Sequence, residues 1–301
     1  MLTSRMKCVL WLVGVVGVLS LLGAAVALLI LPAVINAQVL KKDVLGMEPT
    51  GPNGTLQPND MTAKWIHPPY DMRLHIWMYS VQNEAPYLAG KEKLKLLQKG
   101  PYVFVEDQEK EFYKFVSNDT RVLYRNTHRY FFNQSLSCAE CQLSDKVTIP
   151  NVIYQKLVDI ATTSLIAKGA IETVLFLRGR ESPFITVSVG EALFDGYDDP
   201  LLSAICTGVV KLICDAFKIP PKIGLFYGQN NTNDGLYEVG TGLEGAATLG
   251  HLYLFNNRTS LPDAFWDSLA ARMINGTDGQ LFPPMLKKSR ELSVFASQAC
   301  R

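Results

Sequence analysis

Residues 8–35 decide how this chain is organised: they read CVLWLVGVVGVLSLLGAAVALLILPAVI, without a charged residue, Asn, Gln or His. About 20 apolar residues in a helix suffice to cross the hydrocarbon core of a bilayer, so this segment is long enough. It exceeds the apolar region of a signal peptide, roughly 7–15 residues, and a buried helix of a soluble protein usually keeps a polar face. We therefore predict a transmembrane helix over residues 8–35. A signal peptide cleaved near Ala37 and a buried core helix are the alternatives.

The positions of the glycosylation sequences predict which side of the membrane the chain occupies. Two basic residues precede the span and two follow it, so flanking charge does not choose an orientation. Six Asn-x-Ser/Thr sequences, more than chance gives, all follow the span: Asn53, Asn118, Asn133, Asn230, Asn257 and Asn275. Because such sites are glycosylated in the secretory lumen, we predict a cytosolic tail at residues 1–7 and a lumenal or extracellular domain over residues 36–301.

Short strands are predicted in the first part of this domain. Residues 46–60 are rich in Gly, Pro and Asn and are typical of a loop. Alternation of Leu74, Ile76 and Met78 with polar and aromatic residues then predicts a strand over residues 73–81. Further strands rich in Val, Tyr and Phe, with a turn at residues 117–120, are predicted over residues 101–106, 111–116, 121–124 and 129–132.

Helical periodicity begins near residue 149. A helical segment is predicted over residues 149–178, with Pro150 in its first turn and a division near Gly169. A second helix is predicted over residues 199–217, capped by Asp199 and followed at once by a proline. Strand patterns return at residues 224–227, 235–240 and 248–255. This order of strands, helices and strands indicates an α+β domain with an antiparallel sheet.

Five cysteines follow the span, an odd number for an oxidising compartment: Cys138, Cys141, Cys206, Cys214 and Cys300. For Cys138 and Cys141 we favour a local disulfide, because the chain has neither the βαβ context of a redox motif nor a second close Cys/His pair for zinc. Cys206 and Cys214 would lie about 12 Å apart on a straight helix, too far for a disulfide. Either that helix breaks, near Gly208, or both residues are buried thiols.

The sequence carries no recognisable catalytic motif. Gly-x-Ser-x-Gly, His-Glu-x-x-His and P-loop sequences are absent, and so is the Asp-x-Asp of many membrane-bound glycosyltransferases. Asp195, Asp198 and Asp199 form a cluster, but its last two residues precede Pro200 and are better explained as a helix start. We predict no enzyme activity, cofactor or metal, with a membrane-bound transferase as the remaining alternative. A net charge of +1 does not favour nucleic acid as a partner.

Several segments match one known family. They are GPYV at residues 100–103 with Glu106, VGE at 189–191, GYDDPL at 196–201, GLFY at 224–227, NNT at 230–232, DGLY at 234–237, MINGTDG at 273–279, FPP at 282–284 and ACR at 299–301. Together with their order, they make the chain resemble the class B scavenger receptors, the family of platelet glycoprotein IV, scavenger receptor class B type I and the lysosomal integral membrane protein. Members have a second, C-terminal span and a cysteine-rich segment that are lacking here. The resemblance thus implies the N-terminal portion of a longer receptor, in which Cys300 would pair with a cysteine further along, or else a short isoform.

The resemblance also implies a fold and a function. The fold is an irregular antiparallel β-barrel, incomplete in this chain, with a helical apex bundle formed by residues 149–178 and 199–217. The implied function is a receptor that binds lipids, fatty acids or lipoproteins and passes hydrophobic ligand to the membrane through a tunnel. A trafficking receptor that binds a protein, as in the lysosomal member, is the alternative. The location would be the plasma membrane or the lysosomal membrane.

Basic residues at the apex would meet anionic ligands in such a receptor. Lys168 lies close to such a position in the resemblance, and Lys156 is nearby. We therefore take these two lysines as candidate ligand-binding residues. Their alternative role is that of ordinary solvated lysines on a helix surface.

Overall fold

The computed structural model describes residues 4–49, 54–163, 169, 182–206, 220–263, 266, 268–286, 288 and 291–295. Its helices are α1 (Ser4–Ala25), α2 (Leu31–Lys42), α3 (Asp60–Ile66), α4 (Glu84–Leu88), α5 (Val152–Thr163), α6 (Pro200–Ile205) and α7 (Leu269–Arg272). Its strands are β1 (Met47–Pro49), β2 (Leu56–Pro58), β3 (Met72–Val81), β4 (Leu96–Val116), β5 (Arg121–Phe132), β6 (Lys146–Pro150), β7 (Phe184–Ser188), β8 (Thr232–Asn233), β9 (Tyr237–Gly240) and β10 (Leu252–Phe255). π-Helical turns lie at Val26–Ile30 and Glu191–Asp195, and a 3₁₀ turn at Ala246–Thr248.

The predicted apolar span is a helix. α1, the π-helical turn and α2 follow one another without a gap from Ser4 to Lys42. Their large apolar side chains are exposed, Trp11 to 74%, as expected for a helix surrounded by lipid. The helix continues beyond the predicted end at Ile35 and stops at Asp43, which leaves helical geometry at φ −81° and ψ 60°. By length and composition this helix is a candidate membrane span.

The chain divides into two compact units. The first unit comprises residues 1–69, 109–126 and 234–301, and the second comprises residues 70–108 and 127–233. The largest sheet has the strand order β10-β9-β5-β4-β3, with β8 beside β5. Both β4 and β5 contribute residues to both units, because the unit boundaries fall inside these strands.

The core of the first unit forms around β9. Tyr124 of β5 is paired with Tyr237 of β9, and Val239 of β9 is paired with Leu252 of β10, all antiparallel. Tyr124 and Tyr237 stack at 5.2 Å between ring centroids, and Trp65 of α3 meets Tyr124 edge-on at 4.9 Å. Offset and edge-to-face contacts of this kind add to the stabilisation from burial.

The core of the second unit lies between two strand pairs. In the first pair β3 and β4 are antiparallel, with Leu74 opposite Phe104. In the second pair β6 and β7 are antiparallel, with Val147 opposite Val187. Nine buried apolar residues of the unit form one cluster: Tyr102, Phe104, Cys141, Val147, Val187, Val189, Ala192, Leu193 and Tyr197.

Several predicted strand boundaries were wrong. Residues 101–106 and 111–116 belong to one strand, β4, and residues 121–124 and 129–132 belong to one strand, β5. Residues 224–227 form turns, since the N–H groups of Leu225 and Phe226 donate to the carbonyls of Ala192 and Leu193 in the π-helical turn instead of joining a strand. The predicted loop at residues 46–60 contains the paired strands β1 and β2 and the start of α3. The turn at residues 117–120 is confirmed.

The helix predictions were partly correct. Pro150 does not begin a helix; it ends β6 opposite Phe184, and α5 starts at Val152. Asp199 caps α6 as predicted, accepting from the Leu202 N–H at 3.0 Å, with Pro200 in the first turn. The later parts of both predicted helical segments lie outside the described residues. Mixed helix and strand content is confirmed, whereas no closed barrel is found among the described residues and the barrel stays a prediction.

Candidate functional site

The segment predicted to capture ligand is closed at its base by a strand pair. β6 leads into residues 151–183 and β7 leads out, with Thr148 and Thr186 hydroxyls in contact at 2.8 Å across the pair. The backbone N–H of Asn151 donates to the carbonyl of Pro183 at 2.8 Å, which extends the closure by one residue. The ends of the segment are therefore fixed on the core of the second unit.

Helix α5 begins directly after the β6 strand of this pair. Asn151 caps it, because its side-chain oxygen accepts from the Tyr154 N–H at 3.0 Å. Leu157 turns inward and is buried, while Val152 and Val158 are exposed. Exposed apolar side chains on a helix next to a basic residue can contact the acyl chain and the anionic group of one amphiphile.

The two candidate ligand-binding lysines differ in what the structure says of them. Lys156 lies on α5 with its side chain exposed, and its ammonium pairs with Asp159 at 2.9 Å. An exposed pair of this kind stabilises weakly, so an anionic ligand can compete with Asp159 for the lysine. Lys168 lies outside the described residues.

The three cysteines that the structure describes in the second unit are oxidised. Cys138 and Cys141 form the predicted local disulfide, with Cα atoms 5.1 Å apart. Cys206, directly after α6, is disulfide-bonded, so the alternative of a buried thiol is wrong for this residue. Cys214 and Cys300 lie outside the described residues.

The glycosylation sequences that the structure describes are accessible. Asn118, Asn230, Asn257 and Asn275 are exposed, and Asn133 is half-buried; Asn53 lies outside the described residues. A folded position on the surface is what a bulky glycan requires. The structure thus provides a surface position for a glycan at four of the five sites that it describes, Asn118, Asn230, Asn257 and Asn275.

A buried lysine in the first unit was not anticipated. Lys110 of β4 is 4% exposed; its ammonium donates to Asn126 Oδ1 at 2.8 Å and lies 5.4 Å from the centroid of the Trp65 ring. Burial lowers the pKa of Lys110 to about 8, and the carboxylates of Asp278 and Asp234 offset part of this shift. Both acids lie in segments that resemble the scavenger receptors, at residues 234–237 and 273–279, which was the only sign of this cluster in the sequence.

Asp278 is the acidic partner within this cluster. The Tyr124 hydroxyl donates to its Oδ2, and its Oδ1 accepts from the Gln280 N–H at 2.9 Å. Burial raises the pKa of Asp278, whereas the backbone hydrogen bonds from Gln280 and Leu281 and the charge of Lys110 act in the opposite direction. Lys110 and Asp278 thus belong to one buried cluster with aromatic neighbours, in which the Tyr124 hydroxyl ties Asp278 to β5.

A second titratable pair joins neighbouring strands in the second unit. His128 Nδ1 lies 2.6 Å from Glu106 Oε1. Burial would raise the pKa of Glu106, but hydrogen bonds from His128 and Gln108 outweigh burial and lower it. This pair holds β4 and β5 together at their side chains. Glu106 also belongs to the first segment that resembles the receptor family.

A cavity of about 250 Å³ in the first unit is lined by residues that include His251, Asn275 and Glu291. Within the part of the chain that the structure describes, no group of three or more His, Cys, Asp or Glu side chains could hold a metal ion.

Comparison with known proteins identifies the family. A model of the CD36 family matches residues 14–301. This chain belongs to the CD36 family. Scavenger receptor class B member 1 of Cricetulus griseus is 30% identical over 301 residues, which cover 99% of this chain and 55% of that protein. The Mus musculus protein of the same name is 27% identical over 300 residues, with the same coverage.

A second kind of CD36-family relative also matches. Lysosome membrane protein 2 of Mus musculus is 30% identical over 239 residues, covering 79% of this chain and 47% of that protein. The chain therefore spans about half the length of the curated relatives it matches. These matches confirm the family resemblance predicted from the sequence segments. The names of these CD36-family relatives describe a receptor and a membrane protein, and neither name describes an enzyme.

Proposed function

We propose that this chain belongs to a membrane-anchored receptor, not an enzyme, that binds lipids, fatty acids or lipoproteins and passes hydrophobic ligand toward the membrane. The observation that carries the proposal is the CD36 family match over residues 14–301, with scavenger receptors among the relatives. The apolar helix and the exposed α5, with Lys156 beside exposed valines, support it. Passage through a tunnel in the ectodomain is part of the proposal.

The proposed topology places residues 1–7 in the cytosol, residues 8–35 in the plasma or lysosomal membrane, and residues 36–301 outside or in the lumen. Six glycosylation sequences after the span support this orientation. The proposed ligand-binding residues are Lys156 and Lys168, which would neutralise the anionic groups of lipid particles.

Charge reversal of these lysines tests the capture step. Cells expressing K156E/K168E should bind anionic phosphatidylserine vesicles about tenfold more weakly than cells expressing the wild-type chain, because two exposed charge contacts worth up to about 1 kcal/mol each are lost. The matched control is K91E/K93E, which reverses two exposed lysines elsewhere in the second unit. Equal binding by K156E/K168E and wild type at low and high salt would exclude these residues from the site.

A protein-binding trafficking receptor is the second candidate. The matches to lysosome membrane protein 2, 30% identical in Mus musculus, favour it. The two functions differ in what the chain retains after purification. A lipid receptor should take up a fluorescent fatty acid in detergent and release it into vesicles, whereas a pure protein receptor should not. Absence of fatty-acid uptake by a chain that is glycosylated and membrane-inserted would leave the protein-binding function as the better proposal.

A further inference from the structure

A charged cleft lies where the apolar helix meets the rest of the first unit. It measures about 570 Å³. One wall is the end of α2, with Lys41 and Lys42, and the other is the first turns of α3, with Asp60 and Lys64. Asp43 and the following residues connect the two walls. The cleft therefore sits at the point where the chain leaves its candidate membrane span.

Buried hydrogen bonds hold the residues that follow Asp43 against the α3 wall of this cleft. Asn59 caps α3 by accepting from the Thr62 N–H at 2.8 Å, and its side-chain amide donates to the Val44 carbonyl at 2.8 Å. The Thr62 hydroxyl, which is fully buried, accepts from the Gly46 N–H at 2.8 Å and donates to the Gly46 carbonyl at 3.0 Å. The α3 side of the cleft and the residues that connect it to α2 are thus preformed, and a ligand would bind there without first ordering them.

The charges that line the cleft are mixed. Lys64 and Asp60 pair with each other at 2.7 Å. The other four charged residues, Lys41, Lys42, Asp43 and Glu48, form no ion pair with any residue that the structure describes. Two cations and two carboxylates are therefore available to a ligand in one cleft. A ligand with only negative charge would be repelled by the carboxylates, whereas a zwitterion would satisfy both signs.

The helix length places these lysines at the membrane surface. The flanking charges Lys7 and Lys41 are 34 residues apart, or about 51 Å along a helix. A bilayer with its headgroups is about 40–45 Å thick, so a tilt of about 30° puts one end of the helix in each headgroup layer. The position of these lysines in the headgroup layer rests on the membrane anchoring in the proposed function.

We propose that the cleft binds the headgroup of a zwitterionic phospholipid from the adjoining leaflet. Lys41 and Lys42 contact the phosphate, and Asp43 and Glu48 contact the quaternary ammonium of a phosphocholine group. Ammonium and phosphate are linked in such a headgroup, so both charge contacts form at once, which favours it over separate ions.

Lipid adducts on the intact chain test this assignment. The full chain is purified in maltoside detergent, exposed to equal amounts of phosphatidylcholine and phosphatidylglycerol, and examined by native mass spectrometry. Wild type should retain phosphatidylcholine in preference to phosphatidylglycerol. K41E/K42E should reduce phosphatidylcholine occupancy at least about tenfold, since charge-assisted contacts to the phosphate are lost. K91E/K93E, the matched control, should bind as wild type does.

Further variants separate a specific headgroup site from nonspecific adhesion of lipid to the apolar helix. D43N/E48Q, which keeps the lysines, should shift retention from phosphatidylcholine toward phosphatidylglycerol, and K41R/K42R should keep phosphatidylcholine. Equal retention of the two lipids by wild type, or displacement by inorganic phosphate as effective as displacement by glycerophosphocholine, would overturn the proposal. If K41E/K42E loses the lipid but still captures phosphatidylserine vesicles, the cleft is confirmed as independent of α5. If the wild-type chain retains the lipid adduct but does not bind phosphatidylserine vesicles, the proposed receptor function is wrong and the headgroup site is unaffected.

Discussion

Lys110 shows what a single buried charge does to a core. Its ammonium faces the rings of Trp65 and Tyr124, which attract a cation through their π-electron faces. These contacts and the Asn126 oxygen replace only part of the water that the ammonium loses on burial. The lowered pKa of Lys110 expresses the remaining free-energy cost of keeping the charge inside.

The stability of the protein should therefore depend on pH through Lys110. Its folded pKa of about 8 lies below the ordinary value of 10.5, so the unfolded chain binds the extra proton between these values. The contribution of Lys110 to stability should rise with pH across this window, by about 3 kcal/mol. K110M has no such group, so its unfolding free energy minus that of wild type should fall by about the same amount from pH 7 to pH 10.5. Urea unfolding in detergent at several pH values measures this difference.

The control for Lys110 comes from the same strand. Lys114 is also on β4 but is exposed. K114M should follow the wild-type pH curve. If the unfolding free energies of K110M and wild type change in parallel with pH, the pKa of Lys110 is not lowered in the folded protein. The assignment of a lowered pKa to its burial would then be wrong.

Residue-level prediction from the sequence succeeded where a local rule applies. Asp199 was expected to cap a helix and does so, and Cys138 and Cys141 were expected to bond and do so. Lys110 could not be found in this way, because its burial depends on α3 and on residues more than a hundred positions away. The ligand-binding roles of Lys156 and Lys168 stay predictions.

Among the elements, β4 explains why strand boundaries were misjudged. Residues 107–110 read DQEK, and four consecutive polar residues usually indicate a turn. Here they continue the strand, because one of the four, Lys110, points into the core and finds partners there. The sequence pattern of the strand was broken by a buried polar residue, which single-sequence periodicity cannot distinguish from a loop.

The two carboxylate oxygens of Asp199, the residue that caps α6, lie in different surroundings. Its Oδ1 accepts from the Leu202 N–H, while its Oδ2 is buried and has no partner among the residues described. D199A should destabilise the protein by about 1–2 kcal/mol, because the first turn of the helix loses its cap. D199N keeps the cap and removes the buried charge, so its stability should be within about 1 kcal/mol of wild type.

Thermal or urea unfolding in detergent measures both variants of Asp199. Hydrogen exchange of the α6 amides should increase in D199A and stay low in D199N. If D199A and D199N lose equal stability, the charge of Asp199 matters more than its cap, and the hydrogen bond to Leu202 does not account for the stability of α6.

At the scale of the whole molecule, the family and the apolar helix were predictable and the tertiary arrangement was not. Nine ordered segments carried the family resemblance, and the family match over residues 14–301 agrees with it. The division into two units could not be anticipated, because each unit is assembled from segments that are distant in the chain. Such pairing depends on non-local strand contacts, which local periodicity does not encode.

Glycosylation tests the proposed orientation of the whole chain. If residues 36–301 are lumenal, peptide N-glycosidase should lower the apparent mass of the expressed chain by several glycan units. Each single Asn→Gln change at an accessible site should remove one unit. At the last site N275Q is the better variant, because the Thr277 hydroxyl is buried and donates to the Leu281 carbonyl.

The N-terminal tail provides the matching control for orientation. A tag placed before residue 4 should resist protease added outside intact cells, while a tag at the C-terminal end should be cleaved, if the chain is at the surface. An unchanged mass after glycosidase treatment, with the N-terminal tag cleaved, would reverse the assigned topology.

The strand pair that closes residues 151–183 has a consequence for how this segment can vary in the CD36 family. The segment leaves the second unit at Pro150 and returns at Phe184, two residues that already face each other across a strand pair. Substitutions, insertions or deletions between these points leave the register of β6 and β7 unchanged, and the framework below need not adapt to them. Residues 151–183 can therefore change in sequence and length during evolution while the strand pair that holds them is inherited unchanged.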